Sequence, residues 1–216
     1  MLQLYEHPAS GNSHKVRLLL SFLQLPYESH VIELMEEEQH TDKFLALNPR
    51  GEVPVLADGD VVLRDSMAIL VYLARSYDTE RRWLPAELAL ECAVLEWLAF
   101  AASWIQFGVF TARAAVAFGI MGNGLPHDFP TSPREGQVRG RRSLEILDAH
   151  LRERNWLVGA DATIADIACF PYVALAPMGE VSLDPYPAVR AWISRFEALP
   201  RFVSMPGLET SGGQQS

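Results

Sequence analysis

The chain has 216 residues, 49% of them hydrophobic, and a formal net charge of -9 at pH 7. That length allows one domain or two small ones with ample core, and the acidic balance excludes nucleic acid or an anionic membrane as a general partner, since both demand clustered cations. No charged n-region with an apolar stretch and a small-residue cleavage site opens the chain, so it is expected in the cytoplasm.

Leu2 and Leu4 alternate with Gln3 at strand period until His7-Pro8 breaks the run. In the following SGNSHKVRLLLSFLQL, Ser10 to Ser13 supply turn and N-cap chemistry, and Val16, Leu19, Leu20 and Leu23 repeat at helical spacing. Tyr27 to Leu34 reads as a second strand, and Glu33 to Asp42 as a solvated acidic connection. Asn48, Pro49 and Gly51 then break regular structure ahead of two β-branched runs, Val53 to Leu56 and Val61 to Leu63, with Asp58-Gly59 as the turn between them.

Pro54 gives up a ladder donor at a strand entry. An ordinary trans proline at a strand start is the plain reading. The other is a cis Val53-Pro54 bond, which would turn the amide and carbonyl of Val53 outward to hold an extended peptide. Asp65 and Ser66 offer side-chain oxygens to the start of a helix whose Ser66, Ile69, Leu70 and Leu73 share one face. Each helix start is an anion site in waiting.

Asp78 to Pro85 reads as a linker, beyond which strand signals stop. Glu87 to Phe118 is an apolar helix or helix pair. Its uncharged run from Trp97 to Ala112 falls short of the roughly 18 to 20 residues of a bilayer span, so a buried helix is expected. Gly119 to Pro133 is dense in Gly and Pro and reads as a loop. Arg134 to Arg154 is an amphipathic helix with Val138, Leu144, Leu147 and Leu151 as its stripe and arginines on its wet face. Thr163 and Asp166 have the spacing of a capping box ahead of an apolar run, a folding element rather than a catalytic one. Tyr186-Pro187 opens a last helix that Pro200 stops, and the tail from Pro206 is loose enough to be disordered. Cys92 and Cys169 sit in apolar helical patterns and are expected as buried free thiols. The sequence holds no repeat, P-loop, dinucleotide fingerprint or metal pattern.

LNPRGEVPVL followed by RDSMAILVYLA, with DATIADIACFPYV further on, resembles the cytosolic glutathione transferases, most closely bacterial members whose first site is theta-like or delta-like. The resemblance implies an α/β plus all-α chain: a thioredoxin-like domain (βαβ-ββα) over residues 1–77, a linker at 78–86, an all-helical domain over 87–205 and a tail at 206–216. It implies a cis Val53-Pro54, with Val53 pairing its backbone to the cysteinyl part of glutathione, Asp65 and Ser66 holding the γ-glutamyl end, and Gln39 and Arg50 completing the binding set. Gln39 falls where theta-like members place a histidine for the glycine carboxylate.

The chemistry such an enzyme needs is a bound thiol kept ionised at neutral pH. Lowering a thiol pKa of about 8.5 by about two units takes roughly 2.7 kcal/mol. A hydrogen bond to a charged group supplies on the order of 1.5 to 3 kcal/mol and a helix N-terminus about 0.3 to 1, so one hydroxyl at one helix start suffices. Aligned on KVRLLL, Ser10 takes the place of the family's thiolate-binding serine, with Ser13 and the Asn12 side chain next in line. No cysteine lies near this helix start, which favours conjugation or glutathione-dependent peroxide reduction over mixed-disulfide chemistry. Trp104, Phe107, Phe110 and Arg113 recur at roughly helical spacing and suggest an apolar pocket wall with one cation, for a small hydrophobic electrophile. The implied protein is a homodimer active in detoxification, with glutathione as co-substrate and no metal. Glu52 departs from the pattern: many members carry Lys or a neutral residue there, and an acid would repel glutathione. It favours the alternative, a binding or regulatory protein that keeps the fold without catalysis.

Overall fold

Alternation puts Leu2, Leu4 and Glu6 on the inner face of β1 (Leu2–Glu6), and all three are buried. Glu6 is accommodated there by the Arg17 guanidinium and by the Ser29 hydroxyl at 2.9 Å. The computed structural model describes residues 1–120 and 133–208. Most of the expected Gly- and Pro-rich loop and most of the expected loose tail lie outside the described residues.

α1 (Gly11–Phe22), β2 (Tyr27–Val31), α2 (Asp42–Leu47), β3 (Val55–Asp58), β4 (Val61–Leu63) and α3 (Ser66–Tyr77) complete the first unit. The sheet order is β2-β1-β3-β4, with β1 parallel to β2 and antiparallel to β3, and β3 antiparallel to β4. This is the thioredoxin-like arrangement, three strand directions against one. The β3–β4 turn follows Asp58-Gly59, with Gly59 at φ +57 where a left-handed residue is needed. α1 packs against α3, and Leu18, Leu19 and Leu20 are consecutive and fully buried, so α1 is covered on more sides than its one expected stripe. Ile32, Phe44, Val53 and Val55 form a further core cluster with Tyr5, Leu34, Leu47 and Val62 packed on it. α2, capped by Thr41, begins where only a solvated connection is expected.

The second unit is helical. α4 (Leu88–Phe100), a π-helical segment (Ala101–Phe110) and α5 (Thr111–Phe118) run on continuously, followed by α6 (Pro133–Leu151), α7 (Ile164–Ala174) and α8 (Pro187–Glu197). The run Leu88–Phe118 has 31 residues, and its most apolar window has a mean hydropathy of 1.6 and is 22% buried. It therefore has the expected extent but is more exposed than the buried helix expected from sequence. Val94, Leu98, Ala101, Ile105, Val109 and Ala112 form one narrow inward stripe, leaving Leu88, Leu95 and Phe107 exposed. Cys92, expected inside, is exposed for the same reason, whereas Cys169 is buried and both are free. In α6 the inward positions are Gly136, Gly140, Ser143, Leu144, Leu147 and Leu151, and Val138 stands 52% exposed, outside the stripe assigned to it. α7 is buried from Ile164 to Val173, as expected of a helix apolar all round. Its start carries the expected capping box between Thr163 and Asp166.

The chain divides into Met1–Leu84 with Pro200–Pro206, and Pro85–Leu199 resuming at Gly207. Residues 200–205, read from sequence as the end of the helical domain, group with the first unit, as does Pro206 from the expected tail: the Val203 carbonyl meets His14 Nε2 at 2.7 Å and the Arg201 carbonyl accepts from Ser21 Oγ at 2.8 Å.

Candidate functional site

Strand register gathers the predicted residues of the first unit at one end of the sheet. Tyr5, near the end of β1, faces Val55 at the start of β3, and Leu56 faces Leu63 at the end of β4. The chain leaving β1 enters α1, the chain entering β3 comes from Val53-Pro54, and the chain leaving β4 enters α3. Three loops therefore converge where the sequence places Ser10, Val53 and Asp65.

At the start of α1, Ser10 is the N-cap in extended conformation (φ -78, ψ 118), and its Oγ accepts the Ser13 N–H at 3.2 Å. A hydroxyl that accepts there still has its own hydrogen to donate. Ser13 is fully buried, and its Oγ accepts the His7 N–H at 3.3 Å. Asn12 Oδ1 accepts from the buried Lys15 ammonium at 2.7 Å. The first turn of α1 holds no acidic residue, so no carboxylate there offsets the positive end of the helix dipole.

Asn48 ties the second loop together. Fully buried, it donates from Nδ2 to the Glu52 carbonyl at 2.6 Å and accepts the Arg50 N–H on Oδ1 at 3.1 Å. Val53-Pro54 is cis, as the resemblance implies and against the plain reading of the proline. Asp65 caps α3, one oxygen accepting from Met67 N at 2.9 Å and Ala68 N at 3.2 Å, while the other faces the Arg50 guanidinium at 3.8 Å. Ser66 is buried at the first position of α3. Glu52 is exposed. Desolvation pushes its carboxyl above the usual range, with Arg50 opposing and Asp65 adding to the rise.

Gln39 does not join this set through its amide. Nε2 donates to the Leu34 carbonyl of its own loop at 3.4 Å, and Oε1 is buried without a partner. The sequence reading passed over His40, whose ring lies against Gly51: a Cβ on Gly51 would stand 2.8 Å from His40 Cδ2, and φ at Gly51 is +61. Two short 3-10 turns, Leu34–Glu36 and Glu38–His40, set which of these neighbours faces the loop, and a count from Phe44 along the sequence does not register them. The adjacent Gln39-His40 pair is the signal that could have raised His40 as a candidate.

A family described as glutathione S-transferase, N-terminal domain, matches residues 4–81, and one described as glutathione S-transferase, C-terminal domain, matches residues 119–200. The chain belongs to the glutathione S-transferase family. Among its relatives are glutathione S-transferase theta-2 of Mus musculus, 30% identical over 91% of this chain and 81% of the mouse protein, and the disulfide-bond oxidoreductase YfcG of Escherichia coli, 30% identical over 93% and 92%. A glutathione S-transferase from Pseudomonas fluorescens has a similar structure, with a TM-score of 0.85, 33% identity, and 95% and 98% of the two chains covered. A family member from the same organism, solved with two glutathione bound, matches with a TM-score of 0.79, 30% identity, and 93% and 89% covered.

In the helical unit the four residues expected to form one wall part company. Trp104 and Phe107 are exposed and line a cavity of about 280 Å³ with Ser103 and Arg139. Phe110 instead packs its ring edge on Tyr172 at 4.8 Å. Arg113 is buried, with its guanidinium 4.8 Å above the Phe118 ring and Nε 3.4 Å from Met178 Sδ, and desolvation lowers its pKa. At about 3.6 residues per turn a strict three-residue spacing already turns by about 60° at each step, so Trp104 and Arg113 would fall on opposite faces of a regular α-helix. The π-helical segment is wound more loosely, and Gly108 kinks it at φ -106, ψ -105, which adds to the divergence.

Proposed function

We propose that this chain is a glutathione transferase that binds reduced glutathione, holds its thiolate with the Ser10 hydroxyl at the start of α1, and transfers it to a small hydrophobic electrophile. The thiolate attacks the electrophilic atom, a new carbon–sulfur bond forms, and the leaving group departs with the displaced electron pair. The observation that carries this reading is Ser10 as the N-cap of a helix whose first turn has no acid, at the sheet end where the cis-proline loop and the start of α3 converge. Ser13 and Asn12 stand behind it as donors. Val53, Pro54, Arg50, Asp65 and Ser66 hold the peptide, and His40, against Gly51, suits the glycyl end better than Gln39. Trp104 and Phe107 supply the apolar acceptor surface.

A relative named as a disulfide-bond oxidoreductase suggests a neighbouring chemistry. No cysteine lies near the start of α1 in the sequence, which favours reactions carried by the thiol of glutathione itself. The exposed apolar side chains of the long helix support a homodimer, and the family supports a cytoplasmic role in detoxification without metal. Glu52 favours the second reading, a non-catalytic binding or regulatory protein.

The test is the ultraviolet thiolate absorbance of bound glutathione against pH, in wild type, Ser10→Gly and Ser10→Ala. Replacing an N-cap serine by Gly costs a few tenths of a kcal/mol and by Ala about 1 kcal/mol. A thiol pKa well below that of free glutathione in wild type, lost in Ser10→Gly, supports the enzyme. Binding with an unshifted pKa in wild type favours the carrier, and an unchanged shift in both variants removes Ser10 from the sulfur.

A further inference from the structure

Three hydrogen-bond donors around the cis-proline loop are spent on the protein itself. Asn48 Nδ2 is held by the Glu52 carbonyl at 2.6 Å, the Arg50 N–H by Asn48 Oδ1 at 3.1 Å, and Gln39 Nε2 by the Leu34 carbonyl at 3.4 Å, while the Arg50 guanidinium lies 3.8 Å from Asp65. The Glu52 carboxylate is exposed, and Gln39 Oε1 is buried without a partner. The orientation of that amide follows from chemistry, because the atom facing the Leu34 carbonyl has to be the donor nitrogen. Two carboxylates, Glu52 and Asp65, are thus set against one guanidinium.

This arrangement opposes an anion. With the γ-glutamyl end of a thiol peptide at Asp65 and Ser66 and its cysteinyl part on Val53, the remaining edge is bordered by Gly51, Glu52 and the Gln39-His40 turn packed on Gly51. A free glycine carboxylate would bring a further negative charge to an edge where Glu52 already stands. An amide there would bring N–H donors to the Glu52 carboxylate and remove the repulsion. Resting on the glutathione reading above, we propose that this edge selects a γ-glutamylcysteinyl thiol whose C-terminal carboxylate is masked as an amide, and that Glu52 determines the choice.

The experiment compares reduced glutathione with its C-terminal amide by calorimetric titration, on wild type, Glu52→Gln and Glu52→Lys. The Glu52 side chain is exposed, and the Asn48 bond uses its backbone carbonyl, so these substitutions leave the loop's internal bonds in place. One like charge removed at partly solvated range is worth roughly a three- to tenfold change in affinity. Wild type is expected to bind the amide roughly three- to tenfold more tightly than glutathione, Glu52→Gln to narrow the gap, and Glu52→Lys to reverse the order. Equal or tighter binding of glutathione by wild type overturns the selection while leaving the glutathione reading intact. A Glu52→Lys change that moves both thiols alike removes Glu52 as the determinant. If wild type binds neither thiol, the glutathione reading itself fails and this inference falls with it.

Discussion

Lys15 is fully buried, and its ammonium donates to Asn12 Oδ1 at 2.7 Å, one turn back toward the start of α1. Lysine has donors alone, so the atom facing it is the amide oxygen and the orientation of Asn12 is fixed. Asn12→Asp keeps the shape and strengthens the bond to the ammonium. It also places a negative charge beside the proposed sulfur site, where an anion is disfavoured. Its stability in urea is expected to match or exceed wild type, while the pKa of bound glutathione rises. Asn12→Ala removes an acceptor from a buried cation and is expected to cost about 1.5 to 3 kcal/mol. A bound thiol whose pKa ignores Asn12→Asp would place Asn12 away from the sulfur.

His14 meets the Val203 carbonyl at 2.7 Å, which requires its Nε2 to carry the hydrogen. Burial lowers its pKa to about 4 from 6.5, with the Val203 carbonyl opposing and Arg17 adding to the fall. Between those values the unfolded chain takes up a proton that the folded chain refuses. The contribution to stability is therefore complete above pH 6.5 and is lost as the pH falls toward about 4. His14→Gln can still donate to Val203 without titrating. Its urea midpoint, set against wild type, is expected to improve steadily between about pH 7 and pH 4.5. A constant difference across that range would mean that His14 is not held neutral.

α5 is pinned from two sides at Ala112. A Cβ on Gly179 would stand 2.6 Å from Arg113 N and 2.8 Å from Ala112 C, and one on Gly136 would stand 2.8 Å from Ala112 N. These are backbone atoms, which yield less readily than the end of a flexible side chain. Gly179→Ala and Gly136→Ala are each expected to cost about 1 to 3 kcal/mol, or a fall of about 2 to 4 °C in Tm per kcal/mol. Scanning calorimetry checks both, and an unchanged midpoint would show that the helices can separate without penalty.

These glycines also explain what the sequence withheld. Hydrophobic period locates β1, α1, α3 and α7, and local chemistry locates the Asp58-Gly59 turn, the Asp65 cap and the capping box at Thr163. Such signals live within a few residues of one another. The inner face of α6 is built on Gly136 and Gly140, which add nothing to a hydrophobic pattern, so the pattern chose Val138 in their place. The wall of Trp104, Phe107, Phe110 and Arg113 assumed that a strict three-residue repeat stays on one face, which neither an α-helix nor the π-helical segment allows. Exposure of Cys92 depends on which stripe of a long helix finds a partner, and the docking of Pro200–Pro206 on α1 depends on contacts nearly two hundred residues apart. The geometry of the candidate site was legible where a motif is local, in the caps that Ser10 and Asp65 place on α1 and α3. The turn of the Gln39 amide to the Leu34 carbonyl and the packing of His40 on Gly51 were not legible, because they depend on the two 3-10 turns between β2 and α2.

Asp166 offers a last test, because burial and hydrogen bonding act on it in opposite directions. One oxygen accepts from Leu157 N at 3.1 Å and Trp192 Nε1 at 2.9 Å, and the other from Thr163 N at 2.9 Å. Desolvation nevertheless raises its pKa to about 6 from 3.8, against the pull of the Thr163, Trp192 and Leu157 donors. Between those values the folded chain keeps a proton that the unfolded chain has released, so this contribution is complete below pH 3.8 and is lost as the pH rises through about 6. Asp166→Asn does not titrate, and it turns an amide nitrogen toward at least one N–H that the carboxylate had accepted, which costs stability at every pH. The gap in urea midpoint between wild type and Asp166→Asn is expected to be widest near pH 4 and to narrow toward pH 7. A gap that widens toward pH 7 would mean that the donors outweigh burial and that the start of α7 depends on an ionised carboxylate.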